Sequence, residues 1–261
     1  MLNKDLEKKQ EYFWNSWQNK IVREKLDNSV IPQNKEESYK IQKCYEIKSK
    51  ETLSGWKIAA TSKEGQIHVG VNGPMVGRLI KERQFFSEDN ISLKNNFMKV
   101  VEAEFAFKVL SDFAPRSKKY SDEEVLENME YAFAAIELPD TRILDYNKKG
   151  ENILIADNAC AGEFLIGNNP IKDFKNINFE NFEVDCFKNG KLFCKGLGSN
   201  VLGSPINALS WLVNELSVYN NVLLKGQIIL TGTCIKPFSV VPGDEVLMDF
   251  KDLGKVSCNF S

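Results

Sequence analysis

Apolar positions along this chain fall into two textures that change near residue 50. From about Asp5 to Lys50 they are sparse: Leu6, Phe13, Trp17, Ile21 and Leu26 stand among Lys, Glu, Gln and Asn near helical spacing. This predicts two helices interrupted near Ile31-Pro32, since proline lacks a backbone donor and breaks a helix. The helical pattern resumes in SYKIQKCYEIKSK through Tyr39, Ile41, Cys44, Tyr45 and Ile47. From Gly55 onward short apolar runs are punctuated by Gly, Pro and Asn, the texture of a strand-rich body.

Within that body FEVDCFKNGKLFCKG predicts a hairpin, because two alternating runs flank Asn189-Gly190, the pair that a two-residue type I′ turn prefers. INALSWLVNELSVY carries a helical stripe through Ile206, Leu209, Leu212, Val213 and Leu216. KGQIILTGTC and VPGDEVLMDF read as strands, the second entered through the turn tripeptide Pro242-Gly243-Asp244.

VVEAEFAFKVL alternates Val101, Ala103, Phe105 and Phe107 with Glu102, Glu104 and Ala106, so on a strand both glutamates share one face. The wet face of an amphipathic strand explains that segment by itself, and so does half of a metal site. Glu137, ending the apolar run YAFAAI before Leu138-Pro139, tilts the reading toward a metal, because a solubilising charge is less needed there. Three hard oxygen ligands suit Mg²⁺ or Mn²⁺.

The 261 residues suffice for one large domain or for a helical appendage on a main domain. A formal net charge of −2 with no basic block argues against a nucleic-acid partner and for a small substrate. The N-terminus carries no apolar signal region, and no run approaches the roughly 18 apolar residues of a membrane span, so a cytoplasmic protein with no membrane partner is expected. Six widely spaced cysteines and one histidine support neither a disulfide framework nor zinc, and free thiols in or near the core are expected.

Lys57, in SGWKIAATS, sits on a short apolar strand. Buried, it would have a lowered pKa suited to acid–base work; the alternative is a lysine snorkelling to solvent. In ILTGTCIKP, Thr231, Gly232 and Thr233 follow a strand and offer hydroxyl and N–H donors to a carboxylate ligand, although an ordinary strand-end turn explains them equally well. KGLGSNV approaches a dinucleotide fingerprint but follows a hairpin, so no nucleotide cofactor is expected. His68 falls in no triad-like arrangement.

From about Tyr39 to the C-terminus the chain resembles the 2-keto-4-pentenoate hydratase family of the fumarylacetoacetate hydrolase superfamily. That family also holds 2-oxohept-4-ene-dioate hydratases and 2-oxo-3-hexenedioate decarboxylases. The resemblance rests on GWKIAATS, VEAEFAF, AAIELPDTRI, IADNACAGEFLIG, VLGSPINALSWLVNEL, GQIILTGTCIKP and VPGDEVLMDFKDLGKVSCNF, in family order. It implies an α+β fold with a mixed, rolled β-sheet core over residues 51–261, preceded by a helical segment over 1–50. It also implies a homo-oligomer, one Mg²⁺ or Mn²⁺ on Glu102, Glu104 and Glu137, and Lys57 as the catalytic lysine. Ser62 and Cys160, inside the matching segments, join Thr231, Gly232 and Thr233 as expected substrate contacts.

The implied activity is metal-dependent hydration of a small 2-hydroxy-2,4-dienoic acid to a 4-hydroxy-2-oxo acid. Three departures bear on it. GVNGPMVG places Asn72 and Met75 where family hydratases carry acidic residues, Ser204 replaces the histidine of a Leu-Gly-His-Pro stretch, and Cys160 replaces a serine. Methionine cannot transfer a proton. Decarboxylation of a 2-oxo-3-hexenedioate, C–C hydrolysis of an acylpyruvate, and non-catalytic binding of a 2-oxo acid are therefore alternatives.

Overall fold

The computed structural model describes residues 4–261; the first three positions of the expected N-terminal segment lie outside the described residues. Helix α1 spans Lys4–Gln18, α2 Lys35–Gln42 and α3 Cys44–Lys48. Then come β1 (Gly55–Ala59), α4 (Lys63–Val69), β2 (Met75–Leu79), β3 (Gln84–Phe86), β4 (Asn90–Ile91), β5 (Val100–Val109), α5 (Asp122–Glu127) and β6 (Met129–Leu138). Helix α6 (Glu151–Ala156) precedes β7 (Glu163–Ile166), β8 (Glu183–Lys188), β9 (Lys191–Leu197), α7 (Pro205–Val218) and β10 (Ile228–Thr233). The chain ends in β11 (Phe238–Ser239), β12 (Glu245–Asp249) and β13 (Lys255–Phe260).

The N-terminal helices correct one expectation. The first ends at Gln18, and Lys20 turns left-handed (φ 57°), leaving Ile21 and Leu26 in irregular chain. That stretch has a distant partner: Arg23 pairs with Ile143, its N–H donating to Arg142 O at 2.7 Å. Helix then restarts at α2, where the Asn34 side chain caps the end by accepting from Glu37 N.

One mixed sheet has the order β2-β1-β10-β5-β6-β7-β3, with β11 also pairing to β5. A second sheet runs β4-β13-β12-β8-β9. The β8–β9 turn has Asn189 and Gly190 both at positive φ, 53° and 72°, as the sequence predicts. Register shifts between Leu230 and Thr233 and between Lys108 and Val109 mark bulges that bend the long sheet into its rolled shape.

Alternation on β5 and β6 divides their side chains between two faces. Ala103, Phe105, Phe107, Ala134 and Ile136 belong to the main core, where Phe105 meets Phe250 edge-on at 5.2 Å and Phe179 at 5.7 Å. Each such buried ring contributes about 1.5–3 kcal/mol, enough to hold the register of the strands. Glu102, Glu104 and Glu137 lie on the other face, which also carries the smaller apolar cluster of Leu79, Ala106, Phe133, Ala135, Phe164, Ile166 and Leu230. The six cysteines are free thiols, all buried except the half-buried Cys194. Among the described residues no helix is long and apolar enough to cross a membrane.

Candidate active site

The acidic residues converge because of register. Glu102 on β5 is the direct cross-strand partner of Glu137 on β6, and Glu104 stands two residues along the same face. One carboxylate oxygen from each lies within 4.8 Å of the others. Glu104 and Glu137 are fully buried, Glu102 partly so. Burial, before any charge effect, pushes the Glu102 carboxyl up to about 7 and Glu104 well above its ordinary value; the charge of Glu137 adds to both shifts.

Lys57 reaches the same point from β1. It is 2% exposed, which excludes the snorkelling alternative, and its Nζ lies 3.0 Å from Glu137 Oε2 and 3.3 Å from the Ala159 carbonyl. The expectation of a lowered pKa is corrected. Burial alone would push the ammonium down, but the charges of Glu137, Glu102 and Glu104 outweigh it and hold the value above the usual lysine range.

One cation is not enough for three carboxylates. Glu104 Oε1 and Glu137 Oε1 have no hydrogen-bond partner, and unpartnered buried anions are strongly unfavourable. A divalent ion on three hard oxygen donors removes that penalty, so the residues fit a Mg²⁺-type site. Among the described residues this is the one cluster of three or more His, Cys, Asp or Glu side chains able to hold an ion.

The other sequence-predicted residues divide. Gly232 adopts φ 97° and donates its N–H to Glu104 Oε2 at 2.7 Å, so it orients a carboxylate of the protein. A β-carbon there would fall 2.5 Å from Thr61 Oγ1, which explains the glycine. Thr231 is fully buried and its hydroxyl donates to Phe105 O. Thr233, opposite Glu104 in the register, donates to Ile235 O. Ser62 caps α4, accepting from Gly65 N at 3.0 Å. Cys160 is buried beside the acidic cluster, close enough for the charges of Lys57 and Glu137 to act on its thiol. Met75 pairs with Ala59 and Gly77 with Lys57, so Met75 shares the Lys57 face of the β1–β2 ladder. His68 is exposed on α4.

Two features escaped the sequence reading. Tyr146, half-buried in the short 3₁₀ turn Tyr146–Lys148, has its phenol pushed up by burial and by the charges of Cys160 and Glu102. Asn158, Ala159 and Cys160 form a consecutive left-handed run (φ 61°, 50° and 58°), a conformation costing roughly 1–2 kcal/mol per residue. Asp157 anchors that run by accepting from Trp17 Nε1 and Arg142 N, each at 3.1 Å, and from the Thr141 hydroxyl. The available signal was the polar Asp-Asn pair inside the apolar run ILIADNACAG.

No family model matches the chain. It is 30% identical over 206 residues to the 2-keto-4-pentenoate hydratase of Paraburkholderia xenovorans, covering 79% of this chain and 75% of that protein. The chain belongs to the 2-keto-4-pentenoate hydratase family. Within that family, the 2-oxo-hept-4-ene-1,7-dioate hydratase of Escherichia coli is 28% identical over 233 residues, 86% of each protein. In structure the family member superposes on the 4-oxalocrotonate decarboxylase of Pseudomonas putida G7, solved with magnesium and adipate. The TM-score is 0.88 at 22% identity, over 100% of this chain and 99% of that one. A fumarylacetoacetate hydrolase family protein from Yersinia pestis matches at TM-score 0.58 and 15% identity, over 79% of this chain and 92% of that one. The fold is that of the fumarylacetoacetate hydrolase superfamily.

Proposed function

We propose that the protein is a divalent-metal-dependent hydratase that adds water to a short 2-hydroxy-2,4-dienoate, giving a 4-hydroxy-2-oxo acid. The observation carrying this reading is the convergence of three carboxylates, two with unpartnered buried oxygens, around the ammonium of Lys57. Glu102, Glu104 and Glu137 would hold Mg²⁺ or Mn²⁺. Bound there, the ion supplies Lewis-acid polarisation to the substrate's C1 carboxylate and C2 oxygen.

Lys57 then handles the protons. The C2 hydroxyl gives up its proton and C5 gains one, which converts the dienol into an α,β-unsaturated ketone; Lys57, with its Nζ 3.0 Å from Glu137 Oε2, would assist these transfers. Water adds across the remaining double bond, its oxygen at C4 and a proton at C3. The buried apolar cluster from Leu79 to Leu230 lines the same sheet face and keeps bulk water from competing. Homo-oligomeric assembly and a cytoplasmic location complete the proposal, and light scattering of the purified protein tests the first.

Met75 favours a second reading, decarboxylation of a 2-oxo-3-hexenedioate, because that reaction needs no group to deliver water and the methionine side chain at this position cannot move a proton. One assay separates the two. Purified protein with Mg²⁺ is mixed with freshly generated 2-hydroxypenta-2,4-dienoate and, separately, with C6 and C7 diacid homologues. Formation of a 4-hydroxy-2-oxo acid is expected; CO₂ release from the diacid selects the second reading, and no turnover of any of them overturns both.

A further inference from the structure

The loop after α6 is tied to β1, to β2 and to the segment after β6. Its left-handed run turns successive carbonyls to different partners: Asn158 O accepts from Ala161 N at 2.9 Å, Ala159 O from Lys57 Nζ at 3.3 Å, and Cys160 O from Asp140 N at 2.9 Å. The buried Asn158 side chain brackets one residue of β2. Its Oδ1 accepts from Arg78 N at 2.7 Å and its Nδ2 donates to Arg78 O at 2.9 Å. A β-carbon on Gly77 would fall 2.5 Å from Asn158 O and 3.1 Å from Lys57 Cγ, so the loop lies against the very rung on which Lys57 and Gly77 are partners.

We propose that Asn158 is a positioning residue for Lys57. By clamping loop 158–160 to β2 it holds the Ala159 carbonyl where the Lys57 ammonium donates to it. A lysine ammonium has three protons. One is donated to Ala159 O, while Glu137 Oε2 is an ion-pair partner at 3.0 Å that accepts no hydrogen bond, so the loop carbonyl is what fixes the direction of the other two. Without the clamp, Lys57 is fixed by Glu137 alone and can rotate about that contact. Misplacing a reacting group by about 1 Å can cost on the order of 10²-fold in rate.

The proposal rests on the hydratase reading, so wild-type turnover is measured first; its absence removes that reading and leaves Asn158 nothing to position. With turnover in hand, Asn158→Gly is the informative variant, because glycine adopts left-handed φ without steric cost and only the clamp is lost. Expected is a roughly 10- to 100-fold fall in kcat, with KM and calorimetric Mg²⁺ affinity kept within about twofold. Asn158→Asp, which retains the acceptor for Arg78 N, should recover part of kcat. Unchanged kcat in Asn158→Gly overturns the proposal, as does a kcat loss matched by an equal loss of Mg²⁺ affinity, the signature of general collapse. If Asn158→Gly does not fold, Asn158→Asp decides by the same split between kcat and Mg²⁺ affinity.

Discussion

Glu102 and Glu137 face each other across neighbouring antiparallel strands, a like-charge pair that would destabilise an ordinary sheet. Glu104 joins them within 4.8 Å, and among the described residues Lys57 is the cation paired with this group, 3.0 Å from Glu137. An arrangement so unfavourable by itself makes stability depend on what binds to it.

Mg²⁺ should therefore raise the melting temperature, and EDTA should lower it. At a hundredfold excess over Kd the ion contributes about 2.7 kcal/mol. Glu104→Gln keeps an oxygen for the Gly232 N–H but loses the anion, so its melting temperature should not respond to Mg²⁺ and its turnover should disappear. Scanning calorimetry with and without EDTA checks this; equal Mg²⁺ responses in variant and wild type would remove Glu104 from the site.

Lys57→Ala should lower kcat by about 10²- to 10⁴-fold, the usual contribution of a proton-transfer group. It also strips Glu137 of its partner. Breaking a buried pair from one side costs about 3–5 kcal/mol, so urea unfolding in EDTA should show a loss of that order, recovered in part by Mg²⁺. A variant that keeps its rate would show that proton transfer lies elsewhere.

Gly232→Ala combines a backbone angle of φ 97° with a β-carbon 2.5 Å from Thr61 Oγ1. Left-handed strain alone costs about 1–3 kcal/mol, and the overlap adds to it. Because the Gly232 N–H orients Glu104, Mg²⁺ affinity should fall together with stability. Denaturant melts and Mg²⁺ titration would have to show no change in either to contradict this.

Local pattern made much of this legible in advance. Alternation in VVEAEFAFKVL assigned Glu102 and Glu104 to one face, Asn189-Gly190 marked the hairpin, and the stripe from Ile206 to Leu216 marked α7. What escaped depends on partners far along the chain. The end of α1 reflects pairing of Arg23 with Ile143, and the raised Lys57 pKa comes from carboxylates on β5 and β6. The strained run 158–160 is held by Arg78 and Asp140, and the preceding Asp157 by Trp17, through contacts that no local periodicity encodes.

Asp157 gives that run a pH dependence of defined sign. Burial pushes its carboxyl up to about 7, against the hydrogen bonds from Thr141, Arg142 N and Trp17 that favour the anion. The folded protein therefore holds a proton that the unfolded chain, with the ordinary value of 3.8, has released. The associated stability is fully present below pH 3.8 and is lost as pH rises through about 7, with a slope approaching about 1.4 kcal/mol per pH unit. Asp157→Asn has no such proton. At pH 5 it should be the less stable protein, because its amide N–H₂ must face one of the three donors, a mismatch costing about 1–3 kcal/mol. The gap should close toward pH 8. Asp140, pushed up by burial to about 6, carries a charge that raises Asp157, so the difference between the two profiles reports Asp157 together with its interaction with Asp140. Urea melts in EDTA from pH 5 to 8 measure it, and parallel profiles would mean that Asp157 is already ionised throughout.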